Sequence, residues 1–358
     1  MSNLKGKDLI SNKEEFSKLL LKLDSEMKYK VSSRGWCYIL ENLNLITKAE
    51  FDLGTKKINI LRKKTKYLPI DFVASDKARK FYFVDDLNGV SEDPKDYLIS
   101  WLNSVKEIHT FKDDINFWKT QEYYIQMMVE KVDLVGAFSP LCKKYRIPLA
   151  STKGEPDLNS RLILARRFKE AEDIGLKCIF LYYGDFDPGG FRISDFLKKH
   201  VIDVEKDSNY DATNLTVERV GLNEQFIIDN KIQWINNLIS SKGKDIWQCY
   251  QHYLKTGEKY RTTKKGKRIL NTKIDKNEIA YCKKYGERKM EALAILPEVI
   301  MKEAVKDLEN TIEKYLGKNP FQEYNRKSKE SQDEVEKISN KIQLKAIVDD
   351  LIEKINKI

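Results

Sequence analysis

The sequence predicts an α/β protein: a helical, helix-turn-helix-like N-terminal module, then a mostly parallel sheet domain, then C-terminal helices. Three observations carry this reading. Amphipathic segments with cap residues fill residues 13–61. Short apolar runs alternate with helical periods between residues 123 and 200. Acidic residues follow two of those runs, at Glu130 and in Leu181-Tyr-Tyr-Gly-Asp-Phe-Asp-Pro-Gly-Gly190.

The N-terminal elements follow from spacing and caps. Phe16, Leu19, Leu20 and Leu23 share one face of a helix over 13–26. Ser32 or Ser33 caps a second helix running to Leu43, and Thr47 opens a third through Leu61. Three short helices with basic turns read as a winged-helix module over residues 1–84. Lys56, Lys57, Arg62, Lys63, Lys64 and Lys66 have no acid among them, which fits a phosphate-contacting face or a solvated helix face. Residues 85–118, with Gly89 and Pro94, read as a turn-rich connector.

A second domain is expected over residues 119–318. Strands at Tyr124–Val129, Pro148–Ser151 and Lys177–Tyr183 alternate with helices at Leu134–Tyr145, Leu158–Ile174 and Gly190–His200. That order favours a parallel sheet covered on both faces, with ligands at the carboxyl ends of the strands. Glu130 and Asp185 fall at such ends. Residues 255–273 hold eight Lys/Arg and one acid, and read as a basic surface loop or hairpin, either touching nucleic acid or merely solvated. A helix over 297–316 follows, and the 319–358 segment carries a last helix at 331–358. Its Leu344, Val348, Leu351, Ile355 and Ile358 step by four and three, too briefly for a coiled coil, so packing on its own domain is preferred to a zipper.

Asp185 and Asp187 lie two positions apart, so they project together and suit a hard divalent cation. Glu130 supplies a third ligand or an acid/base group. Lysine and arginine total 65 against 55 acids, a net charge of +10, which favours a polyanionic partner. The five cysteines are dispersed with no C-x-x-C, as in reduced thiols, and the three histidines are too far apart in sequence for a histidine metal site. No apolar run has transmembrane length and the N-terminus is too polar for a signal peptide, so a soluble, cytoplasmic, DNA-associated protein with no membrane partner is expected.

Glu130 followed by Gly184-Asp-Phe-Asp-Pro-Gly-Gly resembles the Toprim domain shared by topoisomerases, primases and several nucleases. The resemblance implies Glu130 as acid/base and Asp185 and Asp187 as ligands of Mg2+ or Mn2+, with Glu130 completing the metal set. Arg34-Gly-Trp-Cys-Tyr38 resembles the Arg-x-x-[Tyr/Phe]-Tyr motif of the topoisomerase VI A subunit and the related meiotic double-strand-break transesterase. In that lineage a winged helix precedes Toprim. Asp76-Lys-Ala-Arg79 and Lys289-Met-Glu-Ala-Leu293 look like stand-alone, prophage-type relatives, and the likeness spans roughly residues 30 to 310. Cys37 and Gly35 depart from the motif, and the Asp-Pro-Gly-Gly run lacks the topoisomerase subunit's tyrosine.

The resemblance implies that Tyr38 attacks a phosphodiester of double-stranded DNA, leaving a 5′-phosphotyrosyl link, while Arg34 supports the reacting phosphate. It also implies a homodimer in which the tyrosine of one subunit works with the metal site of the other. With no G-x-x-x-x-G-K-[ST] loop in the chain, strand passage would need a separate ATPase subunit. Two alternatives stand beside this: a Toprim nuclease using water, serving plasmid or phage defence, and a DNA-binding subunit inactive without a partner. Lys131 is expected to be a surface or ion-pair lysine and not a catalytic one, and Glu291 to cap a helix in preference to approaching the metal.

Overall fold

The computed structural model of the chain describes residues 4–63, 67–74, 93–110, 115–152, 157–240, 243–261 and 267–357. Two compact units emerge: Met1–Ala78 with Tyr124–Lys314, and Arg79–Tyr123 with Tyr315–Ile358. No helix among the described residues is long and apolar enough to cross a membrane.

In the larger unit, α1 (Gly6–Ser11), α2 (Lys13–Ser25) and α3 (Ser33–Asn42) precede a 3₁₀ turn at Lys48–Glu50 and α4 (Phe51–Lys63). Ser32 caps α3 by accepting from the Gly35 N–H, and Thr47 forms a capping box with Glu50 ahead of α4. Phe16, Leu19 and Leu20 are buried as their spacing requires, as are Trp36 and Leu40 on α3.

The sheet combines β1 (Tyr123–Val129), β2 (Leu149–Ser151), β3 (Lys177–Tyr183) and β4 (Thr216–Arg219) in the order β2-β1-β3-β4. Its strands are parallel, as predicted. The interleaved helices are α6 (Asp133–Lys144), α7 (Leu158–Asp173) and α8 (Pro188–Ile202), and α5 (Pro94–Lys106) lies earlier in the chain. Phe138 of α6 meets Tyr183 at 4.8 Å, and Phe168 of α7 meets Phe180 at 5.5 Å. Phe180 and Tyr183 point to opposite faces of β3, so helices cover both sides of the sheet. The strand order reverses between β1 and β3, which makes the crevice beyond their carboxyl ends the switch point where such sheets hold ligands.

The N-terminal helices and the sheet fall within the same compact unit. The Asp133 carboxylate at the start of α6 accepts from Ser32 N–H (2.6 Å) and Ser32 Oγ (3.0 Å), tying α3 to the sheet layer. Lys289, in the short strand β6 (Arg288–Lys289) that pairs antiparallel with β5 (Ile235–Asn236), forms an ion pair at 3.1 Å with Glu41 of α3, and both are almost fully buried. Removing such charges from water demands a fixed partner, so the helices and the sheet layer pack as one.

The smaller unit holds α5, α14 (Phe321–Lys341) and α15 (Leu344–Asn356); α9 (Glu205–Ser208), α10 (Glu224–Asp229), α11 (Ile246–Thr256), α12 (Lys276–Tyr285) and α13 (Glu298–Leu316) precede α14 in the chain. Phe117 packs on Phe321 and Tyr324, and the Gln121 side-chain amide donates to Pro320 O at 2.8 Å. Two expectations fail here. The connector contains a helix, because Pro94 stands in its first turn behind the cap Asp93 and does not mark a turn. The single last helix is two: Gln343 adopts φ +54° and breaks it. Val348 of the predicted apolar stripe is buried, and Lys106 of α5 pairs with Asp349, so α15 packs within its own unit.

The basic 255–273 segment has a hairpin-like base: Ile269 N–H donates to Arg261 O and Ile274 N–H to Lys259 O. Its residues 262–266 lie outside the described residues, as do Lys64, Lys66 and the Asp76–Arg79 stretch.

Candidate active site

Parallel pairing brings the ends of β1 and β3 side by side: the Glu130 N–H donates to Tyr183 O at 2.9 Å. One Glu130 oxygen, Oε2, accepts from the Asp185 N–H at 2.8 Å and from the Tyr182 hydroxyl at 3.1 Å. Residues 55 apart in sequence thus meet through strand register. Asp187 caps α8 by accepting from the Gly190 N–H at 2.7 Å, and Pro188 occupies the first helical turn.

A second segment closes the site. Phe186 and Met290 exchange backbone hydrogen bonds of 2.8 and 2.9 Å. Phe186 then points into an aromatic cluster of Phe191, Trp234, Tyr281 and Tyr285. Alternation sends its neighbours Asp185 and Asp187 the other way, where Lys289 and Glu291, the neighbours of Met290, also lie. The Ala292 N–H donates to Asp185 Oδ1 at 2.7 Å.

Lys131 is the hub. Its Nζ lies 2.6 Å from Asp185 Oδ2, 3.5 Å from Glu130 Oε1 and 3.4 Å from Glu291 Oε2. Glu291 also pairs with Lys48 at 2.8 Å and Lys289 at 3.6 Å. It forms no cap, so the expected capping role is replaced by a buried ion network. The expected ion pair of Lys131 is present. Among the described residues no group of acids, histidines or cysteines surrounds an open metal position, and the Lys131 ammonium sits where three carboxylates meet.

The electrostatics follow from this crowding. Burial, then the charges of Glu130 and Glu291, raise the pKa of Asp185 well above the ordinary aspartate value and raise that of Asp187 as well. Burial would also raise Glu291, but Lys131, Lys48 and Lys289 overcome it and hold that carboxyl low. Burial opposes the Lys131 charge, and Asp185, Glu291, Glu130 and Tyr38 more than restore it. The Arg219 guanidinium clamps the turn by donating to the carbonyls of Gly184, Asp185 and Gly190.

Tyr38 belongs to this cluster. Lys131 Nζ lies 4.5 Å from the centroid of its ring and Lys48 Nζ 5.9 Å, while Phe51 packs edge-on at 4.9 Å. Its hydroxyl makes no hydrogen bond among the described residues. The resemblance implies tyrosine and acids from different subunits, whereas here one chain brings both together. Arg34, one turn earlier on α3, is exposed, lies 5.7 Å over the Phe51 ring and reaches Asp52 at 3.9 Å, so it shares the face of Tyr38 without entering the acid cluster.

Of the basic residues on α4, Lys56 and Lys63 are exposed. Lys57 donates to Ser11 O, and Arg62 is committed to Ile70 O and Asn59, which ties it to its own fold. All five cysteines are buried and free. Lys48 and Glu41 were not singled out by the sequence, and Lys289 was read only as part of the Lys289–Leu293 stretch, not as a residue of the site. The available signal was a charged residue within an apolar setting, Glu41 after Ile39-Leu40 and Lys289 and Glu291 flanking Met290.

Gly190 tests the tightness of the turn. A Cβ there would stand 2.1 Å from Asp185 O, which backbone cannot vacate cheaply. Gly190→Ala is expected to cost about 1–3 kcal/mol, as overpacking does, measured by urea unfolding; an unchanged midpoint would mean that the turn relaxes freely.

Comparison with protein-family models, curated proteins and solved structures returned no match.

Proposed function

We propose that this chain cleaves double-stranded DNA with Tyr38 as nucleophile, in a winged-helix plus Toprim arrangement like that of the topoisomerase VI A subunit. The observation that carries the reading is the meeting of Tyr38 with the Glu130 and Asp185 carboxylates around Lys131 within one chain. The donor set suits Mg2+ or Mn2+: carboxylate oxygens on Glu130, Asp185 and Asp187, at a sheet switch point. When bound, the ion supplies Lewis-acid stabilisation of charge on the scissile phosphate.

The chain's own groups account for the rest. Tyr38 Oη gives up its proton and bonds to phosphorus as the bond from phosphorus to the DNA 3′ oxygen breaks, and that oxygen takes up a proton through Glu130, so one proton is released and one is consumed. The Lys131 and Lys48 ammonium groups lie beside the Tyr38 ring, where their positive charge faces the negative charge that develops on the reacting phosphate. Arg34, Lys56 and Lys63 offer exposed charge to the phosphate backbone. A homodimer cutting both strands, and a separate ATPase subunit where strand passage is needed, complete the proposal.

A second reading, hydrolysis by water, draws on the packing of the Tyr38 ring against Lys131 and Phe51, a structural role that phenylalanine would also fill. Incubating duplex DNA with Mg2+ or Mn2+ and either wild type or Tyr38→Phe separates the two. Loss of cutting in Tyr38→Phe supports transesterification, retained cutting supports hydrolysis, and no cutting by wild type contradicts both.

A further inference from the structure

We propose that Lys131 is a built-in counter-ion that occupies the cation position and yields it to the divalent ion, with Glu291 joining Glu130 and Asp185 around that ion. This rests on the metal reading above. Three carboxylates from separate segments, the end of β1, the turn after β3 and the turn after β6, converge on Lys131 Nζ within 3.5 Å. Their side chains are 11%, 5% and 1% exposed, and that of Lys131 is 17% exposed. Such a position is selective for a cation, and an ammonium and a divalent ion cannot share it.

Charge balance points the same way. Among the described residues, Glu41, Glu130, Asp185 and Glu291 form ion pairs with Lys48, Lys131 and Lys289 and with no other cation, and Asp187 is paired with no lysine. Arg219 is engaged by backbone carbonyls. The acids therefore outnumber the ammonium groups that pair with them, and the cluster can accept additional positive charge. Lysine suits a displaceable occupant: a point charge on a flexible four-carbon stem, with no fixed fork to lose. Lys48 and Lys289 continue to pair with Glu291 and Glu41 when Lys131 leaves.

Calorimetric titration of the full chain with Mn2+ tests this, comparing wild type, Lys131→Gln, Lys131→Arg and Asp185→Asn. Lys131→Gln is expected to bind at least tenfold more tightly than wild type, Lys131→Arg no more tightly, and Asp185→Asn to lose the binding. Lys131→Gln is also expected to melt lower than wild type in chelator and to recover with Mn2+. A Lys131→Gln protein that folds only with Mn2+ supports the same conclusion, and one that Mn2+ does not rescue overturns it. Binding by wild type with no gain in Lys131→Gln overturns the counter-ion role alone. Folded wild type and Lys131→Gln that both ignore Mn2+ overturn the metal reading itself.

Discussion

Asp185→Asn is expected to lower metal-dependent DNA cleavage on the order of 100- to 1,000-fold, the scale of losing one preorganised electrostatic group. The substitution keeps the side chain's shape and removes its charge. Three contacts define what is lost or altered: Oδ2 pairs with Lys131, Oδ1 accepts from Ala292, and the backbone N–H of the same residue donates to Glu130. Glu130 Oε2 keeps the backbone N–H of residue 185 and the Tyr182 hydroxyl, and Oε1 keeps Lys131, so the substitution leaves the second carboxylate held while it removes the charge of the first. Cleavage rates at a Mn2+ concentration that saturates wild type, with circular dichroism to verify folding, measure it. An active Asp185→Asn protein would remove the acid cluster from the chemistry.

Glu291→Gln is expected to destabilise the larger unit by about 3–5 kcal/mol, the cost of breaking a buried ion network by removing one partner. Glu291 is almost fully buried, and Lys48, Lys131 and Lys289 all lean on it. The loss has a definite pH signature. The folded-state pKa of Glu291 lies below its ordinary value of 4.5, so its contribution is fully present above that pH and fades as pH falls through the folded value. Wild type and Glu291→Gln should therefore differ most near neutrality and converge in acid. Asp185 and Asp187 act in the opposite sense. Their raised pKa values mean that ionising them costs stability, increasingly as pH rises from the ordinary carboxylate range through their folded values. Urea unfolding at several pH values checks both the size and the direction. A constant difference across pH would assign the effect of Glu291 to packing.

What the sequence reveals of this site depends on how local the signal is. Glu130, Asp185 and Asp187 are legible because each follows an apolar strand directly and strand periodicity fixes its direction. The caps at Ser32 and Thr47 are legible for the same reason. Lys48, Glu41 and Lys289 are not, because their partners lie more than two hundred positions away, in Glu291 with Lys48 and in Lys289 with Glu41. Only the Phe186–Met290 pairing reveals that Lys289 and Glu291 turn toward the aspartates. Pro94 misleads because proline serves both turns and first helical turns, and the cap Asp93 decides between them. The break at Gln343 carries no glycine or proline to announce it. Merging of the N-terminal helices with the sheet layer follows from buried charge pairs, a tertiary fact that composition cannot display.

The most direct test is to mix purified protein with end-labelled duplex DNA and Mn2+, quench in denaturant, and separate the products before and after protease digestion, with Tyr38→Phe alongside. A protease-sensitive protein–DNA adduct at the 5′ end, formed by wild type and absent from Tyr38→Phe, is the predicted result. Free cut ends from both proteins, with no adduct, would contradict Tyr38 as the nucleophile.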